Sequence, residues 1–285
     1  MKSTLNKLRL IVHNDPGKVY FYRDFFFYML SKNQIKHISS LKIKKYRELH
    51  GEFIAEGSKL VTELLTSKFT SITLFALKEW LTKNKIPSGC NVEVVEVSET
   101  EMARISSLST PSPCLLILKT RTTPFDAAFA ESELILMLDD IQDPGNLGTI
   151  IRTADWFGFK HIVCSVNTVD LYNPKTIQST MGSITRVNVS YEFLDEILDN
   201  LHEKVPVYGS LLDGENILNK QLKTNGVIVI GNESKGISMK IRNYINEKIF
   251  IPGYPTHTSL DKPESLNASI ANAIICYEFR RRELK

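Results

Sequence analysis

Three short stretches hold the residues whose types and spacing could do chemistry. The first, Asp143-Pro144-Gly145-Asn146-Leu147-Gly148-Thr149-Ile150-Ile151-Arg152, puts an aspartate, an asparagine and an arginine where an apolar run gives way to a helical pattern. A guanidinium is protonated at any ordinary pH, so Arg152 is suited to clamp a phosphate bidentately rather than to act as a free base. Asp-Pro-Gly-Asn also suits an ordinary turn. Neither standard phosphate cradle is present: Gly145 and Gly148 have no third glycine for a dinucleotide fingerprint, and no Gly-Lys-Ser/Thr follows for a P-loop. The second stretch sets Glu233 between Gly231 and Gly236, in a loop able to approach a ligand closely. The third places Ser265 and Asn267 at the start of the last helical pattern, where free N–H groups can also meet a polar ligand.

The elements around the first stretch explain its position. Residues 134–138 are a continuous apolar run, as in a parallel strand buried on both faces, ending in the polar turn 139–145. Leu147, Ile150, Ile151, Ala154 and Phe157 then recur at helical spacing, with Asn146 as candidate N-cap and Gly158 at the expected stop. A second strand follows at 161–164. Such a β-loop-α-β unit gathers Asp143, Asn146 and Arg152 at the carboxyl end of the first strand, where open α/β sheets bind their ligands. Further strands are expected at 186–189, 205–211, 227–230 and 248–251, with helices at 193–204 and after Asn173-Pro174. The alternation predicts an α/β fold with a parallel sheet covered on both faces.

The stretch from Asp143 to Asp155 resembles the first motif of the SpoU, or TrmH, class of RNA ribose methyltransferases. Val229-Ile230-Gly231-Asn232-Glu233-Ser234-Lys235-Gly236-Ile237-Ser238 resembles the second, and Ile251-Pro252 with Ser265-Leu266-Asn267-Ala268-Ser269-Ile270-Ala271 the third, in the family's order. The resemblance implies transfer of a methyl group from S-adenosylmethionine to a ribose 2′-hydroxyl of structured RNA, ribosomal more than transfer RNA. It implies a knotted (trefoil) SPOUT catalytic domain, the knot formed by about residues 227–282 with deep loops at 209–216, 231–237 and 253–267, and pairing as a homodimer. It also implies catalytic parts for Asn146, Arg152, Glu233 and Asn267, with Arg152 helping, beside an RNA phosphate, to activate the 2′-hydroxyl, and Glu233 orienting Arg152 or receiving a proton. The donor would be held by Leu211, Gly231, Ile251, Ser265 and Leu266. One departure is the twelve-residue stretch 253–264, which contains His257 and is about twice the usual length.

Ahead of this region, residues 32–47 contain Lys32, Lys36, Lys42, Lys44, Lys45 and Arg47 and no acidic residue, a face suited to RNA phosphates or simply to solvent. Strands at 53–57, 72–76 and 92–97 alternate with helices at 58–65, 77–83 and 99–108, which predicts a small α/β domain. Residues 34–57 resemble the start of the ribosomal-protein-like RNA-binding domain that precedes many SpoU catalytic domains. The division expected is therefore an extension at 1–28, a substrate RNA-binding domain at 29–120, a linker at 121–132 and a methyltransferase domain at 133–285. The aromatic run at 19–30 is too short and too charged for a membrane span; Met29 opens the segment resembling the ordinary start of related proteins.

With 285 residues, 42% hydrophobic and 24% charged, the chain can bury two cores, and its net charge of +3 alone would not suggest nucleic acid. Four widely spaced cysteines without a C-x-x-C pair favour reduced thiols, a cytoplasmic location and no metal. An inactive RNA-binding protein is the binding-only alternative. A dinucleotide-dependent oxidoreductase is disfavoured by the missing glycine.

Overall fold

The computed structural model describes residues 30–253 and 265–283. The expectations about the extension at 1–28, about His257 and about most of the stretch around it lie outside the described residues. The described residues fold around two sheets. The first is assembled from α1 (Lys32–Ser40), α2 (Lys44–His50), β1 (Glu52–Glu56), α3 (Ser58–Leu65), β2 (Ser71–Ala76), α4 (Lys78–Lys83), β3 (Glu93–Glu96), α5 (Glu99–Ile105) and β4 (Cys114–Lys119), with strand order β1-β4-β2-β3. Ser31 and Ser98 start α1 and α5 with complete capping boxes, each paired with the Gln or Glu three residues on. The basic segment is thus two helices around a turn.

The second sheet is six-stranded and wholly parallel. It uses β5 (Leu134–Asp139), β6 (His161–Ser165), β7 (Asn188–Glu192), β8 (Val207–Asn216), β9 (Gly226–Gly231) and β10 (Glu247–Phe250), in the order β10-β8-β9-β5-β6-β7. Its helices are α6 (Phe129–Ser132), α7 (Pro144–Trp156), α8 (Pro174–Thr180), α9 (Leu194–Leu201), α10 (Met239–Arg242) and α11 (Ala268–Arg281). Every residue of β5 is buried, as its unbroken apolar run requires. One face of the sheet packs beneath α7, α8 and α11, and the other beneath α9 and α10. The former core continues without a break into the first sheet through Phe53, Leu64 and Leu116.

Three expectations need correction. Residues 209–216 were expected as a loop but lie within β8; Gly209 pairs with Lys248, the next pair is Glu215 with Ile249, and 210–214 bulge between them. Residues 129–132 of the expected linker form α6, whose Ala130 is buried in the second core while Phe129 stacks on His161 at 4.2 Å. The last helix begins at Ala268, three residues late, because Asn267 caps it. One side of that helix packs within the chain. Ala268, Asn272, Ile275 and Cys276 face the core, whereas Leu266, Ile270, Ile274 and Tyr277 are open, Ile270 being 52% exposed.

Candidate active site

Asp143, not Asn146, caps α7: its Oδ1 accepts the Asn146 N–H at 2.9 Å, and Pro144 takes the first turn. That correction changes what Asn146 can do. Its side chain is released from capping, and its Nδ2 donates to Glu233 Oε1 at 2.5 Å while its Oδ1 accepts from Asn267 Nδ2 at 3.1 Å. Asn267 in turn caps α11, its Oδ1 accepting from Ser269 N at 2.9 Å, and Ser265 Oγ donates to the Glu233 carbonyl at 3.4 Å. Three segments far apart in sequence therefore meet at one amide.

The loop carrying Glu233 is held from below. Asn232 Nδ2 donates to the Asp140 carbonyl at 2.8 Å, its Oδ1 accepts from Ser234 N and Lys235 N, and Asp139 Oδ2 accepts from Ser238 N at 2.7 Å. Sequence reasoning passed over Asn232 and Asp139 as supports. The Asx-turn habit of asparagine after a strand was the available signal for the first.

Arg152 does not join the cluster. It lies about 9 Å further along α7, on the exposed face shared with Thr149 and Trp156, and makes no hydrogen bond to Glu233 among the described residues. The expectation that Glu233 orients Arg152 gives way to Glu233 holding Asn146. Its guanidinium and the Trp156 indole one turn on, 84% exposed, are both open to solvent.

S-adenosylmethionine requires apolar walls and backbone polar groups for its adenosine. Because β8, β9 and β10 are mutually parallel, their carboxyl ends open on one edge. Ile251 follows β10 and Leu211 lies in the bulge of β8, level with the end of β9; both are half-buried, each resting partly on one of the two cores, and Gly231 ends β9 with no side chain. Leu266 and Ser265 are exposed just before α11. This uncharged set fits an adenosyl group and offers nothing for a pyrophosphate. Among the described residues no cluster of His, Cys, Asp or Glu is arranged to hold a metal.

Of the basic residues expected at an RNA face, Lys32, Lys36, Lys44 and Lys45 are exposed, beside the open side chains of Ile43, Tyr46 and Leu49. Lys42 is half-buried, its Nζ donating to the Ser106 carbonyl at 2.7 Å. Arg47 is the correction: it is 3% exposed and pairs with Asp170 of the second sheet's unit at 2.6 Å, so it is no phosphate contact.

Lys175 bonds Asp143 Oδ2 at 2.8 Å and holds that carboxyl below the usual carboxylate range, with the Asn146 N–H helping against partial desolvation. A folded pKa lower than the unfolded one adds stability above the ordinary carboxylate range, and the gain disappears as pH falls through the lowered value. Asp143 is 45% exposed, so the gain is small. Lys175→Met is expected to lower the melting temperature by about one degree at pH 7 and leave it unchanged near pH 3. Thermal melts of both proteins at the two pH values check this.

Residues 133–277 match the model of the SpoU rRNA Methylase family, just over half the chain. The chain belongs to that family. Residues 32–115 match the MRM3-like substrate binding domain. Over 257 residues this SpoU chain is 31% identical to the Bacillus subtilis 23S rRNA (guanosine(2553)-2′-O)-methyltransferase RlmP, covering 88% of this chain and 97% of the other. Among solved structures, a TrmH-family protein from Porphyromonas gingivalis superposes with a TM-score of 0.80 at 36% identity, covering 90% of this chain and all of that one. The AdoMet-bound rRNA methyltransferase of Sinorhizobium meliloti does so with a TM-score of 0.75 at 28% identity, covering 90% and 97%.

Proposed function

We propose that this SpoU chain transfers the methyl group of S-adenosylmethionine to a ribose 2′-hydroxyl of ribosomal RNA. The observation that carries the reading is the convergence of Asn146, Glu233 and Asn267, one from each SpoU motif, on a single hydrogen-bonded cluster beside the open edge of β8, β9 and β10. When bound, the donor supplies an activated methyl on a sulfonium. Leu211, Gly231 and Ile251 hold it from the sheet, and Ser265 and Leu266 from the segment before α11. Asn146, fixed between Glu233 and Asn267, orients the acceptor ribose, and Arg152 clamps an RNA phosphate from the exposed face of α7. Mapping 2′-O-methyl sites in ribosomal RNA from cells with and without the gene tests this: one missing site in the deletion is expected, and an unchanged map with no binding of S-adenosylhomocysteine defeats it.

The first domain delivers the RNA through Lys32, Lys36, Lys44 and Lys45, a reading supported by their exposure and by the Ile43 and Tyr46 surfaces between them. Changing Lys36, Lys44 and Lys45 together to Gln is expected to flatten the salt dependence of RNA binding by about two to three units of logarithmic slope. S-adenosylhomocysteine affinity should not move. Filter binding at several salt concentrations, with calorimetry of the donor product, reads both.

A trefoil knot over about residues 227–282 is supported by the path of the chain. From interior β9 it crosses to edge strand β10 and then returns to pack α11 against α7 and β9. A homodimer is supported by the open stripe Ile270, Ile274 and Tyr277 on α11. Ile270→Asp with Ile274→Asp is expected to halve the mass found by light scattering, and an unchanged mass would place the interface elsewhere. The location is cytoplasmic in this reading, consistent with the absence among the described residues of any helix long and apolar enough to cross a membrane.

A further inference from the structure

A buried arginine in the first domain stands at the head of a chain of contacts that ends at the site. Arg47 Nε and Nη2 both donate to Asp170 Oδ2, at 2.9 and 2.6 Å, and Nη1 donates to the Leu41 carbonyl at 2.9 Å. Asp170 lies in the connection from β6 to α8; its carbonyl accepts from Thr176 Oγ1 at 3.3 Å, which ties it to α8. The first turn of α8 carries Lys175, bonded to Asp143, whose other oxygen fixes the Asn146 N–H. α8 also lies tightly on α7: a Cβ on Gly148 would fall 2.5 Å from the Thr176 carbonyl oxygen. Next to Asp170, the Tyr172 ring packs 4.6 Å from Phe53 of β1, and its hydroxyl donates to the Arg121 carbonyl at 2.6 Å.

We infer that Arg47 is a positioning residue for the methyl-transfer reaction: through Asp170 and α8 it sets the angle between the RNA-delivering domain and the Asn146 end of α7. The inference rests on the function proposed above. Its physical ground is the use of a charge pair where apolar packing would serve stability equally well. A desolvated guanidinium and carboxylate gain little net stability, but they accept one geometry and penalise any other. A second ion pair spans the same junction, Arg186 donating to Glu63 of α3 at 3.0 Å and to Asp155 of α7 at 2.8 Å. An RNA gripped by Lys36, Lys44 and Lys45 is thereby presented to Asn146 and Arg152 at one distance. An error of about 1 Å in that presentation costs roughly a hundredfold in rate.

The test uses the full chain, tritiated S-adenosylmethionine and ribosomal RNA from cells lacking the gene. Arg47→Met and Asp170→Asn are each expected to lower kcat at least about tenfold, with KM for RNA within about threefold and S-adenosylhomocysteine affinity unchanged. The double variant should be no worse than either single one, because both remove the same link. Arg47→Lys should recover little, having no fork. Weaker RNA binding with kcat intact would make Arg47 a phosphate contact and overturn the inference; so would a kcat that does not move. If Arg47→Met fails to fold, Asp170→Asn, which keeps the shape, decides the matter alone. Small-angle scattering supplies a readout independent of turnover: the variants should show a wider spread of domain separations. A wild-type protein that transfers no methyl group would defeat the proposed function, whereas an unchanged scattering profile in the variants would defeat this inference.

Discussion

Replacing Arg152 by alanine is expected to slow methyl transfer about a hundredfold while leaving the fold and donor binding in place. The side chain is exposed on α7 and makes no hydrogen bond to Glu233, so its removal opens no cavity and strands no buried charge. Melting temperature should change by less than about one degree. S-adenosylhomocysteine should bind as before, because Leu211, Gly231 and Ile251 lie on the β8, β9 and β10 edge rather than along α7. On the proposed mechanism the second point at which the RNA is held is lost, so the ribose swings about Asn146 instead of resting against it. Arg152→Lys keeps the charge but not the planar fork and should restore little. Turnover under saturating donor, read beside calorimetry, distinguishes the outcomes. Full activity in the lysine variant would reduce Arg152 to a point charge, and loss of donor binding would put it in the donor pocket.

The Gly231→Ala change should do more damage, because it strikes the proposed donor edge and the Glu233 loop together. A Cβ at Gly231 would lie 2.3 Å from the Gly236 carbonyl carbon and 2.4 Å from Ile237 N. Both are backbone atoms, and the bridge between Asn232 and Gly236 pins them in place. No rotamer change relieves such a contact, so the turn must open. Opening it carries Glu233 away from Asn146 and displaces the end of β9. Overpacking of this kind costs roughly 1–3 kcal/mol, and about 2–4 °C in melting temperature per kcal/mol at this size. The expected result is a fall in S-adenosylhomocysteine affinity of about tenfold or more and in methyl transfer of about a hundredfold or more. An alanine variant that melts lower but binds S-adenosylhomocysteine normally would remove Gly231 from the donor edge.

The amino-acid sequence by itself determined the elements. The apolar runs of β5 and β9, the helical spacing of Leu147, Ile150, Ile151 and Ala154, and Pro174 at the head of α8 are all local signals, and each element formed where its pattern lies. Three motifs in order were equally legible, since a motif is read within a dozen residues. What tertiary structure decided is which of those residues touch. Asn146 looked like a cap because a cap is a local event, but Asp143 three residues earlier took that place and released Asn146 to partners 87 and 121 residues away. Arg47 sits among lysines that face solvent, and charge pattern treats them alike; its burial is set by Asp170, 123 residues on, which no local rule can see. The stripe Ile270, Ile274 and Tyr277 of α11 stays open in the single chain, because hydropathy reports a preference for leaving water, not which surface satisfies it. Composition and spacing act over a few residues of chain, whereas the cluster at Asn146 and the latch at Arg47 exist only once the β5 to β10 sheet has brought distant loops to one edge.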